Sequence, residues 1–414
     1  MRRALLSGTF GLCVLAACGR GALEGLVGKQ GAYLCQALAL AAFVVALLAA
    51  PGATRPGHAR RVWTVYLFLL VAMLSATYVT VVRVSASGWV YVAVMAFFAV
   101  TILVVASRRP DDAGDVPVTF WLGLAGTASV AVALLQQREL LLDTFPGSDL
   151  ASMGGLVRPS ALSGNYLHYP LFVALLVFVF LELWTVLRRP VHAVLAVLFA
   201  VAVVLSFSRS GVMILALGCA AYVVTARRAA TRIRYVYWGS GALLVTAAVL
   251  SGTVHAERIL SSVSLDGAGN ATRVTKWFQA VELWTDSPLV IGGWTGTYTN
   301  VTENFGGGAA GVVESGFFQQ LVSFGVLGAV LFYLVLGQSV GAVDRTHSWL
   351  RAGLVGGVLE SFVYQSIEVV PFMVLFVLAP FVSAHLLQRA GPAAPRVAAS
   401  PPGAVRYGGE LVRG

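Results

Sequence analysis

Residues 195–224 read LAVLFAVAVVLSFSRSGVMILALGCAAYVV. Two apolar runs flank a short polar turn, Ser206–Ser210, and Arg209 sits inside that turn. Uncharged apolar runs of this kind suit a membrane hairpin, and the turn then lies at one bilayer surface. An arginine in such a place costs a few kcal/mol, so it is normally retained for a purpose. Arg209 is therefore the first candidate functional residue, and an anion is the partner its charge suggests.

The rest of the chain agrees with a membrane reading. It has 414 residues, of which 58% are hydrophobic and 11% charged. Soluble domains carry about a quarter charged residues, so a single water-soluble core is excluded. The predicted fold is all-α and polytopic, with about twelve transmembrane helices. The spans are 4–18, 31–50, 62–82, 88–106, 117–135, 169–187, 191–207, 211–226, 235–252, 315–338, 352–367 and 370–387. Cys13, Cys18, Cys35 and Cys219 all lie in or beside apolar runs without metal-ligand spacing, so neither a metal nor a cofactor is expected.

Charge orients these spans. With the N-terminus inside, nineteen lysines and arginines fall on cytoplasmic segments and nine outside. That excess accounts for the basic net charge without a nucleic-acid partner. Two long loops, about 136–168 and 253–314, then face outward, and residues 389–414 form a Pro/Gly/Ala-rich tail predicted to be a disordered cytoplasmic extension of the transmembrane domain 1–388. Within the second loop, RVTKWFQAVELWTDSP (273–288) reads as an amphipathic helix. Val274, Trp277, Val281 and Trp284 share one stripe, with Arg273, Lys276 and Glu282 off it. Such a helix fits either the membrane surface or the flank of the other spans.

The outer side also gathers Arg158, Arg209, Arg258 and Arg273, with His168, His255 and Glu314 close by in sequence. Arginine binds phosphate oxygens in pairs and keeps its charge when desolvated. Several arginines at the outer membrane face could hold a pyrophosphate whose lipid tail stays in the bilayer. Arg20, on the same side, is expected to be a bystander. Glu360 and Glu368, near the last two spans, are expected to bind sugar or pair with an arginine.

The order of motifs resembles a known family. RPSALSGNY (158–166) precedes a span, SFSRSG (206–211) follows another, and the long outer loop holds RVTKW (273–277) and PLVIGG (288–293). VESGFFQQLVSFGVLG (313–328) opens the next span. This succession resembles the O-antigen polymerase and O-antigen ligase superfamily, from about Arg158 to Leu336. The resemblance implies a GT-C-like integral membrane glycosyltransferase in the bacterial cytoplasmic (inner) membrane, with its active site facing outward. Its donor would be a glycan on polyprenyl (undecaprenyl) pyrophosphate. Membrane lipids, a chain-length regulator and a flippase would be its partners.

On this resemblance Arg158, Arg209 and Arg273 bind the pyrophosphate, with Arg258 beside them. Ligases carry a His-Asn pair before the span that closes the long loop, whereas this chain has Glu314-Ser315. The resemblance is thus closer to a polymerase of lipid-linked repeat units than to a ligase. A base must take the proton of the acceptor hydroxyl; Glu314 is the first candidate and His168 the second. A transporter or lipid-linked glycan flippase is the alternative of another class, and it should show ionisable groups near mid-bilayer.

Overall fold

The computed structural model describes residues 2–83, 85–86, 88–140, 151–153, 156–225, 268–304 and 311–390. The predicted span 235–252, Arg258, His255 and the tail from 391 lie outside the described residues.

Thirteen α-helices dominate what is described. They are α1 (Arg2–Cys18), α2 (Arg20–Ala49), α3 (His58–Val82), α4 (Gly88–Ser107), α5 (Val118–Gln137), α6 (His168–Leu187), α7 (Pro190–Leu205) and α8 (Arg209–Thr225). After the undescribed stretch come α9 (Ala268–Thr285), α10 (Asn300–Asn304), α11 (Gly316–Ala342), α12 (Ser348–Glu360) and α13 (Val370–Arg389). Two antiparallel pairs of three-residue strands, β1 (Gly52–Thr54) with β2 (Arg108–Pro110) and β3 (Ala151–Met153) with β4 (Leu156–Arg158), are the only strands among the described residues. Of the described helices, seven (α2–α6, α11 and α13) are long and apolar enough to cross a membrane. The shorter helices α1, α7, α8 and α12 occupy four more of the predicted span positions. The protein is an all-α polytopic membrane protein.

The helices alternate in direction, so their ends form two faces. At one face Arg3 pairs with Asp112 and Asp115, Arg55 donates to the carbonyls of Arg108 and Pro380, and Glu182 accepts the backbone N–H groups of Trp349 and Leu350. At the opposite face lie Arg20, Arg83, Arg158, Arg209 and Arg273. α6 and α13 are apolar on every side and buried on nearly every side, which is what a helix at the centre of a bundle requires. α3 and α7 keep residues such as Tyr66, Val81, Val194 and Val197 exposed, the surface expected to meet lipid. Helices approach closely where glycines meet: a Cβ on Gly356 of α12 would lie 2.6 Å from the backbone nitrogen of Gly218 on α8.

Two breaks interrupt the expected spans. α11 is interrupted at Gly325, whose φ of 67° and ψ of −174° suit glycine alone. The PLVIGG segment docks into that interruption. Val326 and Leu327 donate to the carbonyls of Leu289 and Val290 (3.0 and 3.2 Å), while Gly293 and Trp294 donate to that of Val322. The second break departs from the predicted span 352–367: α12 stops at Glu360. Released from the helix, the carbonyls of Ser361 and Tyr364 accept from Phe317 and Gly316, the first backbone donors of α11. Residues 361–369 thus form a turn at the arginine-bearing face, and a short 3-10 turn (Ser366–Glu368) leads into α13.

Candidate functional site

Arg158 ends the β3–β4 hairpin, where Ala151 pairs with Arg158 across the register. Pro159 ends the strand, and the chain then folds onto the end of α5. Gln136 accepts from the backbone N–H of Ala161 at 2.7 Å, and its amide nitrogen reaches Ser160 Oγ at 3.2 Å. Gly164 then packs against Gly21 so closely that a Cβ on either would fall 2.6 Å from the other's Cα. These contacts hold the Arg158 guanidinium 4.2 Å above the Tyr166 ring. Arg158 is 9% exposed, its Nε has no hydrogen-bond partner, and no carboxylate pairs with it among the described residues. Burial lowers its pKa, Tyr166 and Tyr364 oppose that shift, and the charges of Arg209 and Arg273 add to it. A guanidinium keeps its proton regardless.

Arg209 is set by the turn between α7 and α8. Phe207 adopts a φ of 55°, and Ser206 Oγ donates to Val203 O while accepting from the backbone N–H of Ser208. Ser208 Oγ in turn accepts from Gly211 N at 3.3 Å. Gly211 leaves room for Pro170 and Val203. Arg209 is the first residue of α8, so its charge adds to the positive end of the helix dipole instead of opposing it. Both favour an anion at that point.

Arg273 comes from α9, and the outcome there differs from the sequence pattern. Ala280 is the buried centre of its inward face, packed with Val313 and Val322, and the Trp277 ring lies tilted against Phe318 at 6.0 Å. Phe278 stays 67% exposed. Arg273 and Lys276, expected off the apolar stripe, lie on the inward side with Trp277. Arg273 Nε and Lys276 Nζ donate to the two oxygens of Glu314, at 2.7 and 2.8 Å, and Trp277 Nε1 donates to its backbone carbonyl at 3.4 Å. Burial would raise the Glu314 pKa, but the hydrogen bonds from Lys276 and Arg273 outweigh it and hold it below the usual carboxylate range. Next to it Ser315 caps α11: its hydroxyl accepts from Phe318 N and donates to Phe362 O. Gly316 has no space for a side chain beside Ser361 O.

These pieces close around one cavity of about 190 Å³, with a mostly polar lining. Arg158, Arg209, Arg273 and Glu314 line it, together with Tyr166, Ser208, Ser210, Tyr364 and Gln365. The cavity can hold a small, multiply charged anion between cations presented from three separate elements. Among the described residues no group of three or more His, Cys, Asp or Glu could hold a metal ion.

Residues 193–333, which include Arg209, Arg273 and Glu314, match the model of the O-antigen ligase family. This match supports the resemblance to the O-antigen polymerase and ligase superfamily over that part of the chain. The match supports a function in glycan assembly and implies a lipid-linked glycan as the substrate class. No curated protein matches the chain.

The superfamily match stops short of Arg158 and of the turn after α12, so the structure alone brings Arg158, Tyr364 and Gln365 to the cavity. Other expectations need correcting. His168 opens α6 but does not line the cavity; its Nδ1 lies 3.1 Å from Arg20 Nη1. Arg20 does not line the cavity either; it is buried, pairs with Glu24 at 3.0 Å and lies over the Tyr33 ring. Among the described residues neither Glu360 nor Glu368 forms an ion pair with an arginine; Glu368 accepts from Asn300 N and Gln319 Nε2. Ser208, Ser210 and Tyr166 stood inside the quoted motifs without an assigned role. Tyr364 and Gln365 had no signal, because they read as the end of an apolar span.

Proposed function

We propose that this protein elongates a lipid-linked glycan at the outer face of the bacterial cytoplasmic membrane. It transfers a saccharide from a polyprenyl diphosphate onto the next lipid-linked repeat unit. The observation that supports this reading is the convergence of Arg158, Arg209 and Arg273 on one cavity. Breaking the sugar–diphosphate bond leaves negative charge on the departing diphosphate, and preorganised guanidinium forks aimed there lower the barrier. Arg158, with no carboxylate partner among the described residues, has its charge to give. Arg209 works with the N-terminus of α8. Glu314 fixes Arg273 and Lys276 in position; with both oxygens occupied it is a weak base.

Elongation is favoured over transfer to a foreign acceptor because Glu314-Ser315 stands where ligase members carry a His-Asn pair. The test is purified protein given one lipid-linked repeat unit and nothing else. A ladder of longer lipid-linked glycans is the expected product. Transfer of a single unit to an added lipid or protein acceptor, with no ladder, would establish the ligase reading instead.

A further inference from the structure

The turn after α12 carries a concentration of hydrogen-bond acceptors with nothing to accept. Glu360 is wholly buried, and among the described residues neither carboxylate oxygen has a hydrogen-bond partner. Gln365 Oε1 and Ser366 Oγ, both buried, are also unpartnered. Orphaned buried acceptors are costly, and several in one turn point to a ligand or a proton that completes them. Gln365 lines the arginine cavity. Glu360 lies one layer behind: the hydroxyls of Ser366 and Ser210 face it without closing a hydrogen bond of good geometry, and Ser210 itself lines the cavity. The cavity therefore has two unlike walls. One presents guanidinium donors, and the other carries Gln365, with the unpartnered Glu360 and Ser366 behind it. Diphosphate oxygens suit the first wall, and sugar hydroxyls suit the second.

We propose that the turn 361–368 is the acceptor side of the cavity, where Gln365 Oε1 takes a hydrogen bond from a hydroxyl of the incoming glycan and Ser210 passes the attacking hydroxyl's proton to Glu360. This rests on the glycan-transfer reading and assigns the proton acceptor that Glu314, tied to two cations, is poorly placed to be. The acceptor oxygen forms its bond to the anomeric carbon while the carbon–oxygen bond to the diphosphate breaks, and that electron pair leaves on the diphosphate. The hydroxyl proton goes to Ser210 Oγ as the Ser210 proton goes to a Glu360 oxygen. After transfer the relay runs backwards and Ser210 gives the proton to the departing diphosphate or to water, which resets the pair. Glu360 acts through Ser210 and is a positioning residue; Gln365 touches the substrate. The charged and titratable groups facing Glu360 are Arg273 from α9, Tyr333 from α11 and Tyr364 from the turn itself.

The test is the ladder assay with the full-length protein and one lipid-linked repeat unit, run across pH. Glu360→Gln should lower kcat about 100-fold or more, as loss of a general base does, with little change in KM, and should remove the fall in rate on the acid side. Glu360→Asp should restore part of the rate. Ser210→Ala should reproduce the Glu360→Gln loss, and the double variant should be no worse than either. Gln365→Ala should raise KM with a smaller effect on kcat. Wild-type rates and an intact acid limb in Glu360→Gln or in Ser210→Ala would overturn the relay. Should Glu360→Gln fail to accumulate, Ser210→Ala, a change at the cavity lining, decides alone. A wild-type protein that makes neither a ladder nor a single-unit transfer to an added acceptor would refute the glycan-transfer reading instead of this one.

Discussion

Arg209 stands at the positive end of a helix dipole and beside another arginine, a place that favours an anion. Arg209→Ala should lower transfer roughly 100-fold or more, about 3 kcal/mol of transition-state stabilisation, without loss of membrane insertion. Arg209→Lys should also be poor, since an ammonium cannot present a fork. Rates from the ladder assay, normalised to purified protein, decide this. Glu314 gives a pH-dependent prediction. Its folded pKa is depressed, so its clamp on Arg273 and Lys276 contributes stability above the ordinary carboxylate range and loses it as pH falls through the depressed value. The Tm of wild type should exceed that of Glu314→Gln at neutral pH, and the gap should close only at a pH below the ordinary carboxylate range. An equal gap at both pH values would show that the charge of Glu314 is not what stabilises. At this scale the sequence was readable where a residue type was out of place: arginines and a glutamate at the edges of apolar runs. It misled at Arg20 and His168, which look like interfacial residues but meet each other across 148 positions of sequence. No periodicity reports such a contact.

Helices were legible because apolar runs of span length have few alternatives in a bilayer. Their interruptions were not. Gly325 lies in a continuous apolar run, and only the docking of residues 288–294 shows that the helix opens there. Gly325→Ala should strain a backbone that glycine alone adopts and push a Cβ to 2.5 Å from Gly292 N, destabilising the protein by about 1–3 kcal/mol. Thermal unfolding in detergent should show a lowered Tm, and transfer should fall because α9 and Arg273 are anchored next to this joint. An unchanged Tm would mean that the PLVIGG segment is not held by α11. The end of α12 at Glu360 was hidden for the same reason: residues 361–367 are apolar enough to continue a span, yet their carbonyls serve the start of α11. The tryptophans of α9 suggested its inward face correctly. The pattern could not show that Arg273 and Lys276 share that face, because their partner, Glu314, lies on another element.

On the scale of the whole molecule, the even alternation of helices puts the cavity on one face and the short basic connections on the other. The charge bias predicts that the cavity face is outside. In a cysteine-free background, an impermeant maleimide added to intact cells should label Thr285→Cys and spare Thr346→Cys, both exposed positions on opposite faces. The reverse pattern would invert the topology. Loop charges alone yield an expectation of sidedness, whereas the meeting of three distant arginines had no signal in the sequence, since it depends on how α5, α8 and α9 pack. That meeting is the central claim, and the most direct measurement is binding of a short-chain prenyl diphosphate to the purified protein. Wild type should bind it saturably and should not bind the corresponding prenyl alcohol. Arg158→Ala and Arg209→Ala should each weaken binding about tenfold or more, about 1.4 kcal/mol. Affinity unchanged in both variants would contradict the diphosphate site.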